Sequence, residues 1–300
     1  MKTDRTPAIN EQQRRKGNSQ FKEAWLRLKK NKLAVAALVV LCLVILTAIF
    51  ADFIVDYKTK VIEPNYGAVN QSFSLEHPFG TDAYGRDILA RVIHGTRYSL
   101  LMGFVGTAVA TLLACIIGSS AALIGGWLDS LVTRIVDVLM TIPNVLFAMA
   151  IVAGLGIGIP QLIAALTITQ TVTQTRVVRS AVLNVADQEY IESARALGAS
   201  TPRIIRKYVL PNVIGTILVQ STISVAHNVL LGATLSFLGL GAKPPIPEWG
   251  AMLSEAISNM RYYPHEIIGP GIALVIMALS ISIFGDALRD AVDPKLKGRA

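Results

Sequence analysis

The chain has 300 residues, of which 52% are hydrophobic and only 16% are charged. Soluble domains carry roughly 25% charged residues, so this composition excludes an ordinary soluble protein and predicts an integral membrane protein. The formal net charge of +8 at pH 7 is unusual for such a chain, and the positions of lysine and arginine account for it.

Five uncharged runs are long enough to cross a bilayer, which takes about 20 residues of helix. The third run has 38 residues, too many for one helix, and a glycine-rich stretch at 154–160 interrupts it. The sequence therefore predicts an all-α protein with six transmembrane helices. The five runs are residues 33–51, 98–128, 138–175, 208–242 and 267–285.

Lysine and arginine are distributed asymmetrically between the predicted loops. If the N-terminus is cytoplasmic, 21 of the 28 basic residues fall in segments 1–32, 129–137, 176–207 and 286–300. Cytoplasmic loops hold these residues in excess, so both termini are predicted to be cytoplasmic. The positive charge then reflects topology, with the N-terminal tail suited to anionic lipid, and no basic cluster interleaved with aromatic residues indicates nucleic-acid binding.

A polar, basic segment interrupts the apolar chain after residue 186. Asp187 is predicted to cap a short helix, and Gly198 to end it in the left-handed conformation. Thr201 and Pro202 are then predicted to begin a second short helix as its N-cap and first residue. We expect a helix-turn-helix projection, the alternative being a solvated loop. The second helix carries a basic face of Arg203, Arg206 and Lys207.

A sequence motif runs through this projection: Glu192-Ser193-Ala194, three residues, Gly198, and then Leu210-Pro211. It resembles the cytoplasmic coupling loop of binding-protein-dependent ABC importer permeases, usually EAA, three residues, G, nine residues, I-x-L-P. Ser193 and Tyr208 stand where that family usually has Ala and Ile. The resemblance implies contact with an ATPase, and the predicted coupling residues are Glu192, Ala194, Gly198, Arg203, Leu210 and Pro211.

Three further segments resemble the dipeptide, oligopeptide and nickel branch of these permeases. They are residues 80–100, with Gly-Thr-Asp and Gly-Arg-Asp strings, residues 236–253, where three prolines forbid a helix, and residues 285–297. The resemblance extends from about residue 31 to 297 and implies the type I ABC importer permease fold. It divides the chain into a basic tail (1–32), a first helix with an extracytoplasmic segment (33–97), a transmembrane core (98–285) with its coupling loop at 184–211, and a C-terminal tail (286–300).

The outer segment carries four charged residues close together, Asp82, Arg86, Asp87 and Arg91. Local ion pairing at i, i+4 explains them, and contact with a substrate or partner is the alternative. The residues that follow Asp87 predict an interfacial helix leading into the second span. Trp249, in the proline-rich outer segment, is expected at the level of the lipid headgroups.

Polar residues within the spans are candidates for a translocation path, because hydrocarbon tolerates them poorly unless they face a cavity or a neighbour. The alternative for each of them is hydrogen bonding between packed helices. The candidates are Gln174, Gln220, Ser224, His227 and Asn228.

The family resemblance implies a function and a set of partners. The chain would be a non-enzymatic permease subunit of an ATP-driven importer of di- or oligopeptides in a bacterial or archaeal cytoplasmic membrane. Its expected partners are a second homologous permease, two cytoplasmic ATPases and an extracytoplasmic binding protein. No P-loop motif occurs, so ATP and Mg are expected on the ATPases, and no cofactor or metal is expected in this chain.

Two other functions remain open. The same architecture imports nickel or another small solute, because in this family the binding protein selects the cargo. A secondary transporter driven by an ion gradient belongs to a different class and would carry intramembrane carboxylates to couple ions. The five uncharged runs contain none.

Overall fold

A computed structural model describes residues 25–292, which are helical apart from connecting segments. The longest connection, residues 55–87, contains a π turn (Tyr57–Ile62), a 3-10 turn (Tyr66–Ala68) and one isolated bridge between Thr81 and Asp87. A helical turn at residues 25–30 precedes ten helices that we label in chain order. They are α1 (Lys32–Ile54), α2 (Ile88–Ile124), α3 (Gly126–Met140), α4 (Asn144–Leu155), α5 (Ile159–Ala186), α6 (Glu189–Ala196), α7 (Thr201–Ile204), α8 (Leu210–Phe237), α9 (Trp249–Ala256) and α10 (His265–Val292).

Within the described residues, α1, α2, α10 and the combined helix at residues 201–237 are each long and apolar enough to cross a membrane. Helices α3 and α4 meet these criteria only together, and they are bent by 96° at Pro143 and its neighbours. Helix α5 has 28 residues but is more polar. The chain is therefore a multi-pass membrane protein, and the count of six spans stays a prediction.

Three helices form the centre of the bundle. Helix α2 packs along α5 and α8, α8 packs against α10, and α1 lies outside against α10 and α2. A central cluster of Met102, Leu166 and Leu235 fills the space between α2, α5 and α8. Glycine allows close approach in places, because a β-carbon at Gly250 of α9 would lie 2.2 Å from a backbone oxygen of α8.

The predicted inner and outer segments collect at opposite ends of the bundle. At one end, Leu28 and Ala34 pack against the last turns of α10, and α6 and α7 pack against the ends of α2 and α5. At the other end, the segment between α1 and α2 contacts α2, α9 and α10. The grouping agrees with the predicted topology, and which end faces the cytoplasm stays a prediction.

Several local expectations are confirmed. The long third run is broken between α4 and α5, where Gly156 has φ +95°. The proline-rich stretch at 243–248 is non-helical, and α9 begins directly after it. The helix expected after Asp87 begins at Ile88, with the Asp87 carboxylate accepting a hydrogen bond from the Ala90 amide at 2.8 Å.

One expectation is wrong, because residues 129–137, predicted as a loop, lie within α3. The helix after Asp87 leads into the second span as expected, since it continues without a break through the 37 residues of α2. Trp249 is buried within the protein, where it is 2% exposed and its indole Nε1 donates to the Val92 carbonyl at 3.0 Å. The position of Trp249 and of the start of α2 at the level of the lipid headgroups stays a prediction.

Candidate coupling and translocation sites

The projection expected after residue 186 forms as two short helices, α6 and α7, joined by a turn. Its caps differ from the prediction by one residue each. Asp187 is the C-cap of α5 and Gln188 is the N-cap of α6, while Ser200 is the N-cap of α7 and Thr201 is its first residue. A π turn, Ile205–Val209, then joins α7 to α8.

Gly198 occupies the tip of the projection in the left-handed conformation, with φ +77°, as predicted. No heavy atom lies within 4 Å of the position where its β-carbon would be. The preceding side chain, Leu197, is 88% exposed. The tip is therefore an open surface with a largely exposed apolar side chain.

One side of the projection is basic. Arg203, Arg206 and Lys207 are all exposed and line an open groove of about 730 Å³ with Tyr208 and the tip residues. Glu192 is exposed on α6, so the projection presents both charge signs to solvent. Burial raises the pKa of Tyr190 at the base of α6.

The other side of the projection is anchored in the bundle. Ile191 and Ala194 of α6 and Ile204 of α7 are buried together with residues from the ends of α2, α5 and α8. Leu210 is half-buried and Pro211 is exposed in the first turn of α8. We expect packing of this kind to make the projection move as a body with the helices that it joins, because protein cores transmit displacement with little compression.

Three of the residues predicted for a translocation path lie between helices. Gln174 and Asn228 are fully buried and Ser224 is 2% exposed. Ser224 Oγ accepts hydrogen bonds from Gln170 Nε2 at 2.6 Å and Gln174 Nε2 at 3.2 Å, which join α5 to α8. Asn228 Nδ2 donates to Thr107 Oγ1 of α2 at 2.9 Å. These contacts favour the alternative of interhelical packing for all three residues.

The remaining two path candidates have different surroundings. Gln220 is half-buried and His227 is exposed on the surface of α8 in the isolated chain. Their assignment to a translocation path stays a prediction. The five candidates therefore do not share one environment, although the helical spacing of four of them along α8 suggested a single stripe.

Charged pairs between α3 and α5 were not predicted. Arg179 donates to Asp129 through Nε at 2.5 Å and Nη2 at 2.6 Å, and Arg176 pairs with Asp137. These pairs hold the amphipathic helix α3 along α5. Residues 129 and 179 are too far apart in the sequence for the i, i+4 spacing of a helix to predict that their opposite charges pair.

The four charged residues of the outer segment are paired more widely than predicted. The i, i+4 pair of Asp82 and Arg86 is confirmed at 2.7 Å. Arg91 pairs with Glu255 of α9 at 3.2 Å, not with Asp87, and Asp87 pairs with His77 at 2.7 Å. The sequence analysis missed Glu255, since only the fold brings it to the arginines.

Burial raises the pKa of two side chains in the outer segments, Tyr57 and Glu248. Burial, helped by a hydrogen bond with Tyr98, raises the pKa of Tyr57 to about 12. Burial also raises the pKa of Glu248, although the amides of Gly250 and Ala251 donate to its carboxylate at 3.0 and 2.9 Å. Glu248 is therefore a structural N-cap of α9 in an unusually dry environment.

A bundle of apolar helices with buried polar contacts and a rigid two-helix projection at one end defines a membrane transport subunit. Residues 89–298 match the family model described as the binding-protein-dependent transport system inner membrane component. Residues 19–73 match the N-terminal transmembrane domain of oligopeptide transport permease C. The chain belongs to the family of binding-protein-dependent transport permeases.

Curated relatives cover nearly the whole chain. The dipeptide transport system permease protein DppC of Alkalihalophilus pseudofirmus is 39% identical over 279 residues, which is 93% of this chain and 91% of the relative. The glutathione transport system permease protein GsiD of Escherichia coli is 40% identical over 280 residues, covering 92% of this chain and 91% of the relative.

The fold is also similar to a solved transporter. Two inward-facing structures of the MetNI methionine ABC transporter align with TM-scores of 0.56 and 0.57 at 23% identity. They cover 68% and 67% of this chain and 96% of the matched chain. The described part of the chain therefore has the type I permease architecture that the family resemblance implied.

Proposed function

We propose that the chain is one of two membrane-embedded permeases of an ATP-driven importer that carries di- or oligopeptides across a bacterial or archaeal cytoplasmic membrane. The names of the dipeptide and glutathione permeases, about 40% identical to this chain, support a peptide-type cargo. Import of nickel or another small solute is the second candidate, since the family motifs along residues 80–100 and 236–253 fit that branch equally.

The proposal assigns the energy source and the cargo selection to partners. Two cytoplasmic ATPases would bind ATP and Mg, a second homologous permease would complete the path, and an extracytoplasmic binding protein would deliver the peptide. This chain itself would hold no cofactor and catalyse no reaction. Its part is to convert movement of the ATPases into movement of its helices.

The projection of α6 and α7 carries the proposal. Its exposed tip at Leu197 and Gly198 offers an apolar contact, and the groove beside Arg203, Arg206 and Lys207 offers basic ones. Its buried side is continuous with α2, α5 and α8. A partner that pushes on the tip would therefore displace the helices around the predicted path.

Gly198→Asp tests the coupling. It places bulk and charge at the tip, and a residue with a β-carbon in the left-handed conformation costs about 1 to 2 kcal/mol. The added carboxylate should weaken ATPase binding, and each loss of about 1.4 kcal/mol in binding free energy lowers the affinity tenfold, so we expect ATP-dependent peptide uptake in proteoliposomes to fall about tenfold or more. Glu192→Lys reverses an exposed charge without straining the backbone and should give a milder loss.

Gly126→Asp is the matched control. Gly126 has φ +59° and open space around its β-carbon position, and it lies at the same end of the bundle but outside the projection. The Gly126→Asp variant should retain peptide uptake and association with the ATPase. Equal losses of uptake in the two variants would mean that backbone strain, and not the tip, causes the defect. Uptake by vesicles that hold the wild-type protein and no ATPase would instead support the ion-driven transporter.

A further inference from the structure

A cavity of about 210 Å³ lies at the end of the bundle opposite the projection. Its walls come from the segment before α2 and from α2, α9 and α10. Arg86 is 4% exposed and Arg91 is 1% exposed, so buried charged side chains form part of the cavity wall. Water takes about 30 Å³ per molecule in the liquid, so the cavity has room for several waters or a small organic group.

The arginines do not use all of the acceptors around them. Arg86 donates to Asp82 Oδ2 at 2.7 Å and to Glu255 Oε2 at 2.8 Å, and Arg91 shares Glu255 Oε2 at 3.2 Å. Glu255 Oε1 is left without a hydrogen-bond partner. Glu266, which is 4% exposed and lines the same cavity, also has an unpartnered Oε1.

One donor in the same wall is also unused. Arg91 Nε has no hydrogen-bond partner, and the Asp82 carboxylate lies 3.5 Å away from it. Two guanidinium groups therefore face three carboxylates, which leaves one excess negative charge when all are ionised. Buried polar groups are normally hydrogen-bonded, so two free acceptors and one free donor on one cavity indicate that water or a polar ligand occupies it.

The chemistry of the walls identifies the class of ligand. Within residues 25–292, no three histidine, cysteine, aspartate or glutamate side chains are arranged to hold a metal ion. We propose that the cavity binds a protonated primary amine with a carbonyl group on the adjacent carbon, as at the amino terminus of a peptide. The ammonium group would donate to Glu255 Oε1 and Glu266 Oε1, and Arg91 Nε would donate to the carbonyl oxygen.

The test measures the melting temperature of the purified full-length protein with small probes. Glycinamide carries the ammonium and the adjacent carbonyl, N-acetylglycinamide lacks the ammonium, and tetramethylammonium chloride supplies a cation without N–H donors. At saturating concentration, we expect glycinamide to raise the melting temperature by about 2 to 4 °C. Neither control compound should do so, and an equal rise with either one would overturn the proposal.

Butylammonium separates two sources of the ammonium group. It reproduces a lysine side chain of a bound protein, whereas glycinamide reproduces a peptide amino terminus. A larger shift with glycinamide supports the contact between Arg91 and the carbonyl. An equal or larger shift with butylammonium overturns the assignment to a peptide terminus.

Glu266→Gln should abolish the glycinamide shift, because it removes the unpaired carboxylate and keeps the shape of the side chain. Glu63→Gln is the matched control, since Glu63 is an exposed carboxylate of the same outer segment, outside the cavity wall. An undiminished shift in Glu266→Gln would overturn the site. The wild-type comparison of probes decides the question if that variant does not fold. These measurements need no ATPase, so their failure would leave the proposed importer function standing.

Discussion

Single capping side chains mark where α1, α2 and α9 begin. The amide oxygen of Asn31 accepts hydrogen bonds from the Leu33 and Ala34 amides at the start of α1. Asp87 does the same for α2, and Glu248 for α9. Such contacts satisfy backbone donors that the first turn of a helix leaves free, which is why short polar side chains are favoured there.

Glu248→Ala should destabilise the protein by about 1 to 2 kcal/mol, the usual cost of losing an N-cap. The cost arises because the buried amides of Gly250 and Ala251 lose their acceptor. Thermal unfolding of the purified protein measures it. Glu76→Ala, which removes an exposed carboxylate, is the control, and equal stability of the two variants would contradict the capping role.

The raised pKa of Glu248 predicts a pH dependence. The folded protein holds this proton to a higher pH than the unfolded chain, where the carboxyl group ionises near 4.5. The free energy of unfolding should therefore fall as the pH rises from about 4.5 through the raised pKa. Glu248→Gln should lack this component. Unfolding of both proteins between pH 5 and pH 8 would show it, and parallel curves would contradict it.

At the scale of whole helices, polar contacts join elements that apolar packing alone would leave free to slide. Ser224 bridges α8 to α5, and Asn228 bridges α8 to α2. Lipid supplies no hydrophobic force between helices, so hydrogen bonds and close packing hold them together. Helical spacing in the sequence identified these residues, and only the arrangement of the helices separated the packed ones from Gln220 and His227.

Replacing Asn228 and Gln220 by leucine separates packing from transport. Asn228→Leu leaves Thr107 without its partner, so we expect a loss of about 0.6 to 2 kcal/mol and a lower melting temperature. Gln220→Leu changes a half-buried side chain and should keep stability while reducing uptake. Melting curves and uptake at matched abundance measure both. If Asn228→Leu were as stable as the wild type, Asn228 would have no packing role. If the Gln220→Leu variant took up peptide at the wild-type rate, Gln220 would not belong to the translocation path.

At the scale of the whole molecule, the two ends of the bundle differ in chemistry. At the outer end, Arg86 and Arg91 are buried and ion-paired with Glu255. The projection at the other end is exposed, with a basic groove on one side and an apolar side chain at its tip. Helices that pass between the ends connect them through one packed core. We therefore expect a displacement of the projection to reach the outer end through α2, α5 and α8, which pack against one another.

Cysteine labelling tests the sidedness of these ends. Lys58 and Arg203 are both exposed, so cysteines at these positions are accessible to a reagent on their own side. In a background without Cys42 and Cys115, an impermeant thiol reagent added to intact cells should label position 58 alone. Position 203 should react only after the membrane is opened. Labelling at 203 in intact cells would overturn the predicted topology.

The sequence by itself determined the features that depend on neighbours along the chain. Apolar runs set the spanning helices, glycines set the break before α5 and the turn at Gly198, and prolines kept residues 243–248 out of a helix. These follow from local conformational preference and from the length that a bilayer requires. The N-caps lie one residue from the predicted positions at α6 and α7, where neither Gln188 nor Ser200 makes a side-chain capping hydrogen bond that would mark the boundary.

Only the tertiary structure decided which distant side chains meet. Arg86 and Glu255 are 169 residues apart, and Asn228 and Thr107 are 121 apart. Trp249 is buried against Val92 although its type and position suit a membrane surface. No periodicity in the sequence encodes these contacts, because they depend on how long helices are packed and rotated against one another. The outer cavity and its unpaired carboxylates exist for the same reason.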